Sequence, residues 1–185
     1  MNSFHQLYEL HKDDVFRLAL RFVNSAEDAE DIVQEVFVSV YFGLEKFDRK
    51  SKISTWIYRI TVNKCLDHLK ARRRKKRWGK VISLFGRAEE EQVVGNSAVS
   101  ADSDMLEREL DDWVMQAIAG LPDNQQTAIV LARLEGRPQA EVAEIMGLSV
   151  KAVESLLQRA KKTLAENISE YDEGTSNKHR QNPKP

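Results

Sequence analysis

Residues 53–80 read ISTWIYRITVNKCLDHLKARRRKKRWGK, and the interpretation of the rest of the chain depends on this stretch. Its first half is apolar and aromatic, with Ile57 and Ile60 at helical spacing. Its second half crowds eight basic side chains between Lys70 and Lys80. We therefore expect one helix, from Ser54 or Thr55 to about Arg77. Its first half packs into a core, and its second half contacts a polyanion.

The apolar residues of this helix predict which side of it is buried. The inner face is expected to consist of Ile53, Ile57, Ile60 and Leu69. Polar side chains then fall at steps of three and four residues on a different strip that solvent can reach, namely Arg59, Asn63, Asp67 and Lys70. A cationic helix with an exposed polar strip is suited to holding a nucleic-acid strand.

Two amphipathic helices are predicted before this stretch. The first ends near Asn24 and buries Phe4, Tyr8, His11, Val15, Leu18 and Phe22. The second is predicted over Ala26–Phe47 with Ser25 as its N-cap, and it buries Ala29, Val33, Val36, Val40, Leu44 and Phe47. Its acidic first turns fit either a solvated face that complements the helix dipole or a docking surface for a basic partner. A short polar connector, DRKSK at 48–52, separates it from the basic helix.

The C-terminal half predicts a second helical lobe. A helix beginning at Asp102 or Ser103 carries Leu106, Leu110, Trp113, Ala117 and Leu121 on one side, and another is expected over Asp123–Leu134. A short helix at Gln139–Met146, a turn at Gly147-Leu148-Ser149 and a longer helix from Val150 to about Ile168, with Ser149 as its N-cap, then form a helix-turn-helix pattern. The last helix is expected to bury Val153, Leu157, Ala160 and Leu164 and to expose Lys151, Ser155, Gln158, Arg159 and Lys162.

These elements predict an all-α fold of two small helical domains. The first covers 1–80 and the second 105–168, with the helix-turn-helix at about 138–158. Residues 81–104 have no sustained hydrophobic period and are expected to form a flexible linker. Residues 169–185 are expected to be a disordered tail.

The composition excludes several classes of function. With 185 residues, a net charge of −1, one cysteine and four scattered histidines, the chain suggests no disulfide, no metal site and no cofactor. Cys65 falls inside a predicted helix without a neighbouring base, so it is expected to fill space rather than to catalyse a reaction. No apolar run approaches the ~20 residues that cross a bilayer, and we expect a cytoplasmic protein that does not insert into a membrane and is not an enzyme.

Four motifs follow one another along the chain. They are AEDIVQEVF at 29–37, STWIYRITVNKCLD at 54–67, LPDNQQTAIVLARLEG at 121–136 and GLSVKAVESLLQRAKKTL at 147–164. In this order the sequence resembles a bacterial sigma factor of the extracytoplasmic-function, group four type, from about Phe4 to Ile168. The resemblance implies a transcription initiation factor that binds core RNA polymerase, directs it to a restricted set of promoters and promotes local strand opening.

The resemblance also implies roles for particular residues. Core RNA polymerase would be bound by Asp31, Gln34, Glu35 and Phe37. The minus-ten promoter element, with one flipped base in a pocket near 48–55, would be bound by Lys52, Ser54, Trp56, Tyr58, Arg59, Asn63, Asp67, Lys70, Arg73 and Arg74. The minus-thirty-five element would be bound by Ser149, Lys151, Glu154, Ser155, Gln158, Arg159 and Lys162.

The sequence departs from the family at two positions of the last helix. Glu154 and Leu156 stand where many relatives carry a basic or polar residue, so the promoter preference of a relative cannot be transferred. The chain also lacks the additional N-terminal and middle regions of housekeeping sigma factors, which implies a restricted promoter set and control by an anti-sigma factor. Two other interpretations of the residues are a stand-alone helix-turn-helix regulator and a helical adaptor protein.

Overall fold

The structure is a computed structural model that describes the backbone of residues 3–85 and 113–180 and the side chains of 4–77 and 113–167. In these ranges the chain is helical and contains no β-strand. The helices are α1 Ser3–Val23, α2 Ala26–Gly43, α3 Ile53–Phe85, α4 at 113–119, α5 Asp123–Ile129, α6 Gln139–Met146 and α7 Val150–Arg180. The all-α prediction is confirmed.

The chain divides into two compact units, as the predicted fold class requires. The N-terminal unit contains α1, α2 and most of α3, and the C-terminal unit contains the helices from residue 113 onward. The predicted linker at 81–104 lies largely outside the described residues, so its flexibility stays a prediction. No helix in the described part of the chain is both long and apolar enough to cross a membrane.

The corner between α1 and α2 is built by the local chemistry that the sequence indicates. Asn24 adopts a left-handed conformation with φ of 50°, which asparagine tolerates better than most residues. Ser25 then caps α2, because its hydroxyl oxygen accepts a hydrogen bond from the backbone N–H of Asp28 at 3.3 Å. The predicted N-cap is confirmed, and it turns the chain so that α2 packs back against α1.

The core of the N-terminal unit largely follows the predicted faces of α1 and α2. The buried residues that were predicted are His11, Val15, Leu18, Phe22, Ala29, Val36 and Val40. Ile32 and Phe37 join them, whereas Leu44 and Phe47 are only half-buried. The predicted end of α2 at Phe47 is wrong, because the helix ends at Gly43 and a single tighter 3₁₀ turn, Leu44–Lys46, follows it.

Helix α3 buries a different face from the one predicted. Ile57 is fully buried, but Ile53, Ile60 and Leu69 are only half-buried. The interior is instead formed by Tyr58, Thr61, Val62 and Cys65. Thr61 can lie there because its hydroxyl donates a hydrogen bond to the carbonyl of Ile57 at 2.9 Å. The helix also begins one residue before Ser54 and continues to Phe85, eight residues beyond the predicted end.

Cys65 is fully buried in this interior, and burial raises the pKa of its thiol to about 12. A thiol with the ordinary pKa of 9.0 is half ionised at pH 9, whereas one with a pKa near 12 is about 0.1% ionised. We therefore expect a disulfide reagent at pH 9 to modify the native protein at least about 100-fold more slowly than the unfolded chain.

The measurement is the rate of thionitrobenzoate release with and without denaturant. Because the folded-state pKa is raised, the thiol's contribution to stability should be present below about pH 9 and decline as the pH rises toward 12. Equal rates for native and unfolded protein would contradict the buried position of Cys65.

The C-terminal unit forms the predicted helix-turn-helix. Gly136 and Gly147 both adopt positive φ, of 64° and 66°, and Gly147 ends α6 in the left-handed conformation that favours glycine. The single helix predicted over Asp123–Leu134 is instead an α-helix to Ile129 followed by a π-helical turn at Val130–Leu134. In this turn the backbone N–H of Glu135 donates to the carbonyl of Val130 at 2.9 Å.

The core of the C-terminal unit explains one departure from the family pattern. Leu156 is only 8% exposed and lies beside the predicted buried residues Val153, Leu157 and Ala160, whereas Leu164 is half-buried. Leu156 is therefore part of the core. Because Leu156 is buried, it is not available to contact a partner. A substitution at this position is expected to change the stability of the fold first.

The C-terminal end of α7 lies further along the chain than predicted. The helix continues to Arg180, whereas the pattern predicted an end near Ile168 and a disordered tail from 169. Propagating an existing helix adds one hydrogen bond for each residue that is fixed, and the first proline after Ile168 is Pro183. A polar sequence therefore did not suffice to indicate where this helix ends.

Candidate docking and nucleic-acid interfaces

The outer side of α2 carries an exposed polar and acidic face. Asp31, Gln34 and Glu35 are exposed, three and four residues apart, on the side away from the buried Ile32 and Val36. We call these three residues the acidic face. Their arrangement leaves the Asp31 carboxylate and the Gln34 amide available to a partner that supplies cationic and hydrogen-bonding groups, and the Glu35 carboxylate also contacts Lys64 of α3.

Phe37 does not belong to this exposed surface. It is only 4% exposed, and its ring meets Tyr8 edge-on at a centroid distance of 4.8 Å and Phe4 at 6.4 Å. The expectation that Phe37 contacts a polymerase directly therefore needs correction, because nearly all of its surface is used inside the unit. Phe37 packs α2 against α1.

Three side-chain contacts between α2 and α3 join the two helices. The Glu35 carboxylate lies 3.2 Å from the Lys64 ammonium. The two carboxylate oxygens of Asp28 lie 3.4 Å from Nε2 of His68 and 3.8 Å from the guanidinium of Arg72. The partly exposed ion pairs Glu35–Lys64 and Asp28–Arg72 each contribute about 0.2–1 kcal/mol, so these contacts fix the register of α2 against α3 more than they stabilise the fold.

The exposed polar strip of α3 is present where the sequence predicts it. Arg59, Asn63, Asp67 and Lys70 are all exposed, and the Asp67 carboxylate lies 3.8 Å from the Lys70 ammonium. The same helical face continues into the basic segment, where a shallow groove is lined by Asp67, Lys70, Arg73, Arg74 and Arg77. From residue 59 to residue 77 the strip spans about 27 Å, at 1.5 Å for each residue.

The other residues predicted for the minus-ten element differ in their accessibility. Lys52 is exposed, and Ser54 and Trp56 are half-buried. Tyr58 is only 2% exposed, so it can position its neighbours but offers almost no surface to a base. Of the predicted roles for Tyr58, only support of the binding surface from within the core fits its burial.

The connector before α3 has a defined bend. One carboxylate oxygen of Asp48 accepts the backbone N–H of Lys50 at 3.2 Å, and the other lies 2.8 Å from the Lys50 ammonium. The hydrogen bond from the Lys50 side chain is the main cause that lowers the pKa of Asp48. Between them Arg49 adopts a left-handed conformation with φ of 57°, which is strained for a residue with a long side chain. In this bend Lys50 is paired with Asp48, and Lys52 is exposed immediately before α3.

In the C-terminal unit, the start of α7 is fixed by a cap. The hydroxyl oxygen of Ser149 accepts the backbone N–H of Ala152 at 3.2 Å, which confirms the predicted N-cap. A serine that caps the helix has committed one acceptor site, and its exposed position still allows it to contact a phosphate.

The face of α7 that the pattern predicts to be outward is exposed throughout. It consists of Lys151, Glu154, Ser155, Gln158, Arg159 and Lys162. The Ser155 hydroxyl donates to the carbonyl of Lys151 at 3.0 Å, and Nε of Arg159 donates to the carbonyl of Ser155 at 3.2 Å. This last bond directs the guanidinium along the helix and leaves its terminal nitrogens able to donate to base edges or phosphates.

Two exposed apolar groups were not recognised as surface features from the sequence. Val38, Tyr41 and Phe42 are exposed on α2, and Leu148 and Val150 are partly exposed at the start of α7. The signal for the first group was its helical spacing: Val38 lies three residues from Glu35, and Tyr41 and Phe42 lie seven residues from Gln34 and Glu35. In the described side chains, no three or more His, Cys, Asp or Glu residues lie together as possible metal ligands.

Two known families match the two units. Residues 7–75 match Sigma-70 region 2, and residues 111–164 match Sigma-70 region 4. The first match covers α2 with its acidic face and the polar strip of α3. The second covers the helix-turn-helix and the exposed face of α7.

Relatives and solved structures agree with these matches. The chain is 33% identical over 169 residues to the ECF RNA polymerase sigma-E factor of Haemophilus influenzae, covering 90% of this chain and 87% of the relative. It is 29% identical over 170 residues to the ECF RNA polymerase sigma factor SigW of Bacillus subtilis, covering 90% and 89%.

Its fold is similar to that of CnrH in complex with the cytosolic domain of CnrY, with a TM-score of 0.61, 26% identity and coverage of 90% and 87%. It is also similar to the sigma factor RpoE in complex with the anti-sigma factor NepR from Bartonella quintana, with a TM-score of 0.62, 22% identity and coverage of 91% and 98%. The chain therefore belongs to the sigma-70 family, among the ECF RNA polymerase sigma factors.

Proposed function

We propose that this protein binds core RNA polymerase, directs it to a restricted set of promoters and promotes local strand opening, as a group four sigma factor. Its working partners are core RNA polymerase and promoter DNA, and it acts in the cytoplasm as an initiation factor that catalyses no reaction. The observation that carries the proposal is the exposure of the acidic face, the α3 strip and the α7 face, each formed by residues at helical spacing.

The minus-ten element is assigned to α3 and the connector before it. The strip from Arg59 to Arg77 combines side chains that hydrogen-bond with side chains that attract phosphates. Stacking and pocket contacts contribute about 1–3 kcal/mol for each base, and unstacking a flipped base costs a few kcal/mol. The free energy gained by binding a single strand can therefore offset the cost of opening the duplex, without ATP.

The minus-thirty-five element is assigned to α7. A recognition helix reads base edges in the major groove, and its N-terminal residues approach the bases most closely. Lys151, Ser155 and Gln158 lie on the outward side near that end, and Ser149 lies at the cap. The exposed carboxylate of Glu154 can accept a hydrogen bond from cytosine, which distinguishes this face from a purely basic one.

An anti-sigma factor is the third partner of the proposal. CnrH, which is 26% identical to this chain, was solved in complex with the cytosolic domain of another protein, CnrY.

The Asn63→Ala variant tests the assignment of the α3 strip. Asn63 is exposed at the centre of the strip, so we expect weaker recognition of the minus-ten element, by about 5- to 100-fold in promoter opening, with unchanged binding to core polymerase. Permanganate reactivity of unpaired thymines measures the opening. The matched control is Asn124→Ala, an exposed asparagine on α5. Opening at the wild-type level by Asn63→Ala would refute the assignment.

A footprinting experiment separates this proposal from a stand-alone helix-turn-helix regulator. We expect promoter protection only when the chain and core polymerase are both present. A stand-alone regulator would dimerise and protect a palindromic site without the polymerase. A helical adaptor would give no sequence-specific protection under either condition.

A further inference from the structure

The turn of the helix-turn-helix carries two apolar side chains that solvent can reach. Leu148 is 40% exposed and Val150 is 42% exposed. They stand on either side of Ser149, whose hydroxyl oxygen caps α7 by accepting the backbone N–H of Ala152 at 3.2 Å. Both therefore lie at the start of α7, and this is the end of a recognition helix that approaches the bases most closely.

The backbone of the turn accounts for Leu148 and leaves Val150 unexplained. The backbone N–H of Leu148 donates to the carbonyl of Ala143 at 2.9 Å, and that of Gly147 donates to the carbonyl of Glu144 at 3.3 Å. This pair of bonds is the Schellman motif, in which an apolar residue at the position of Leu148 commonly packs against the helix that has just ended. Val150 is the first residue of α7 and has no place in that motif.

The side chain of Val150 has little freedom to rotate. A valine in a helix has one strongly preferred rotamer, because two methyl groups branch from its Cβ. Helical side chains also point back toward the N-terminal end, so these methyl groups cover the end of α7 that faces the bases. Val150 lies one turn before Glu154, at the border between the outward face and the buried side. Little conformational entropy is lost when such a side chain binds.

The edges of the bases in a major groove decide what a valine can recognise. They present hydrogen-bond donors, acceptors and one apolar group, which is the C5 methyl group of thymine. Against a donor or an acceptor, Val150 would displace water without replacing its hydrogen bond, which is unfavourable. Against the methyl group, two apolar surfaces leave water together, which is favourable. Thymine is therefore the base that fits this position of α7.

We propose that Val150 reads the C5 methyl group of a thymine in the minus-thirty-five element, which makes it a specificity-determining residue of α7. The inference rests on the proposed assignment of α7 to that element. It adds an apolar contact to the hydrogen bonds that the exposed Lys151, Glu154 and Ser155 can make.

The surroundings of Val150 favour DNA over a protein partner. Two partly exposed side chains supply far less surface than the ~800 Å² that each partner buries in a standard protein interface. Lys151 and Arg159 on the neighbouring outward face supply positive charge that attracts phosphates. The exposed carboxylate of Glu154 is compatible with a groove as well, because it can accept a hydrogen bond from the amino group of cytosine. An apolar side chain among these groups suits a surface that presents methyl and polar groups side by side.

The test is the affinity of holoenzyme, assembled from core RNA polymerase and the full chain, for a labelled promoter fragment identified by mapping of transcript starts. Each thymine of the minus-thirty-five element, on either strand, is replaced singly by deoxyuridine, which lacks only the C5 methyl group. Burial of one methyl-sized group corresponds to about 4-fold in affinity, so we expect one of these replacements to weaken binding by about that factor. With Val150→Ser, the same replacement should change the affinity by less than about 1.5-fold, because the apolar contact is already lost.

Two variants serve as controls. Val114→Ser makes the same substitution at a valine on α4 that is 38% exposed, and it should keep the sensitivity to deoxyuridine. Val150→Ile keeps a branched apolar side chain, so it should keep this sensitivity as well. All three variants should retain the thermal unfolding midpoint of the unsubstituted chain, since each changes a side chain that is partly in solvent.

The comparison of the variants decides the inference. Sensitivity to one deoxyuridine that disappears with Val150→Ser, and persists in both controls, supports it. Equal sensitivity in the unsubstituted chain and Val150→Ser, or none in either, overturns it. If Val150→Ser instead removes a response to 5-methylcytosine placed at a cytosine of the element, the methyl group belongs to a different base and the inference is overturned too.

Failure of the inference is distinguishable from failure of the proposed function. If Lys151→Glu combined with Arg159→Glu weakens promoter binding while no deoxyuridine does, α7 reads the element without Val150. Promoter binding that is unchanged by this double substitution would refute the assignment of α7, and with it the inference.

Discussion

The double substitution Asp31→Lys with Gln34→Ala should abolish association of this sigma factor with core RNA polymerase and leave its fold intact. Both side chains are exposed on the outer side of α2, so their replacement removes no core contact. The lysine repels a basic partner, and the alanine removes an amide that can both donate and accept hydrogen bonds. Losses of about 2–5 kcal/mol are typical when one partner of a close interfacial charge pair is removed.

Co-purification with core polymerase over a size-exclusion column measures this effect, and circular dichroism measures the fold. The matched control is Asp13→Lys, an aspartate exposed on α1, which makes the same charge change away from α2. Co-elution of the double variant with core polymerase at the wild-type ratio would exclude the acidic face from docking.

The second large effect is expected in the C-terminal unit. Lys151→Glu combined with Arg159→Glu should reduce transcription from promoters that require the minus-thirty-five element by about two orders of magnitude. Each good base contact contributes about 1–3 kcal/mol of discrimination, and the new carboxylates also repel phosphates. Binding to core polymerase through α2 should persist, because neither residue lies in that unit.

The readout is single-round transcription on a promoter identified by mapping of transcript starts. Lys161→Glu is the control for a charge reversal on α7, at two charge units against four in the double variant, because Lys161 is exposed beside the outward face. A double variant that transcribes such a promoter as well as Lys161→Glu would show that α7 does not read the upstream element.

Local rules were sufficient for much of the fold. Ser25 and Ser149 were predicted as caps from residue type and position, and both hydroxyls accept the expected backbone hydrogen bonds. The glycines that end the helices at 136 and 147 adopt positive φ. These features depend on a few neighbouring residues, so a single sequence contains the information needed to predict them.

Features that depend on several helices together were not predictable in the same way. The pattern favoured Ile60 and Leu69 as the inner side of α3, but the neighbouring helices bury Tyr58, Val62 and Cys65. The sequence indicates an acidic segment and a basic segment, yet only the packing of α2 beside α3 pairs Glu35 with Lys64 at 3.2 Å. Spacing within one helix cannot indicate a partner on another.

In the candidate site, too, spacing within one helix predicted some features, whereas others depend on the neighbouring helices. Helical spacing correctly predicted that Asn63, Asp67 and Lys70 are exposed, because they lie away from the apolar side of α3. It did not predict that Phe37 is covered, since its burial results from the rings of Tyr8 and Phe4 on α1. The exposure of Phe42 was missed because a phenylalanine on a helix is usually assigned to the core.

The most direct test of the central claim is transcription in vitro with core RNA polymerase, with and without this protein, on a library of genomic fragments. We expect a small set of discrete transcripts that require the protein and share sequence elements upstream of their starts. An identical transcript pattern with and without the protein, under conditions in which it remains folded, would contradict its assignment as the factor that directs core polymerase to promoters.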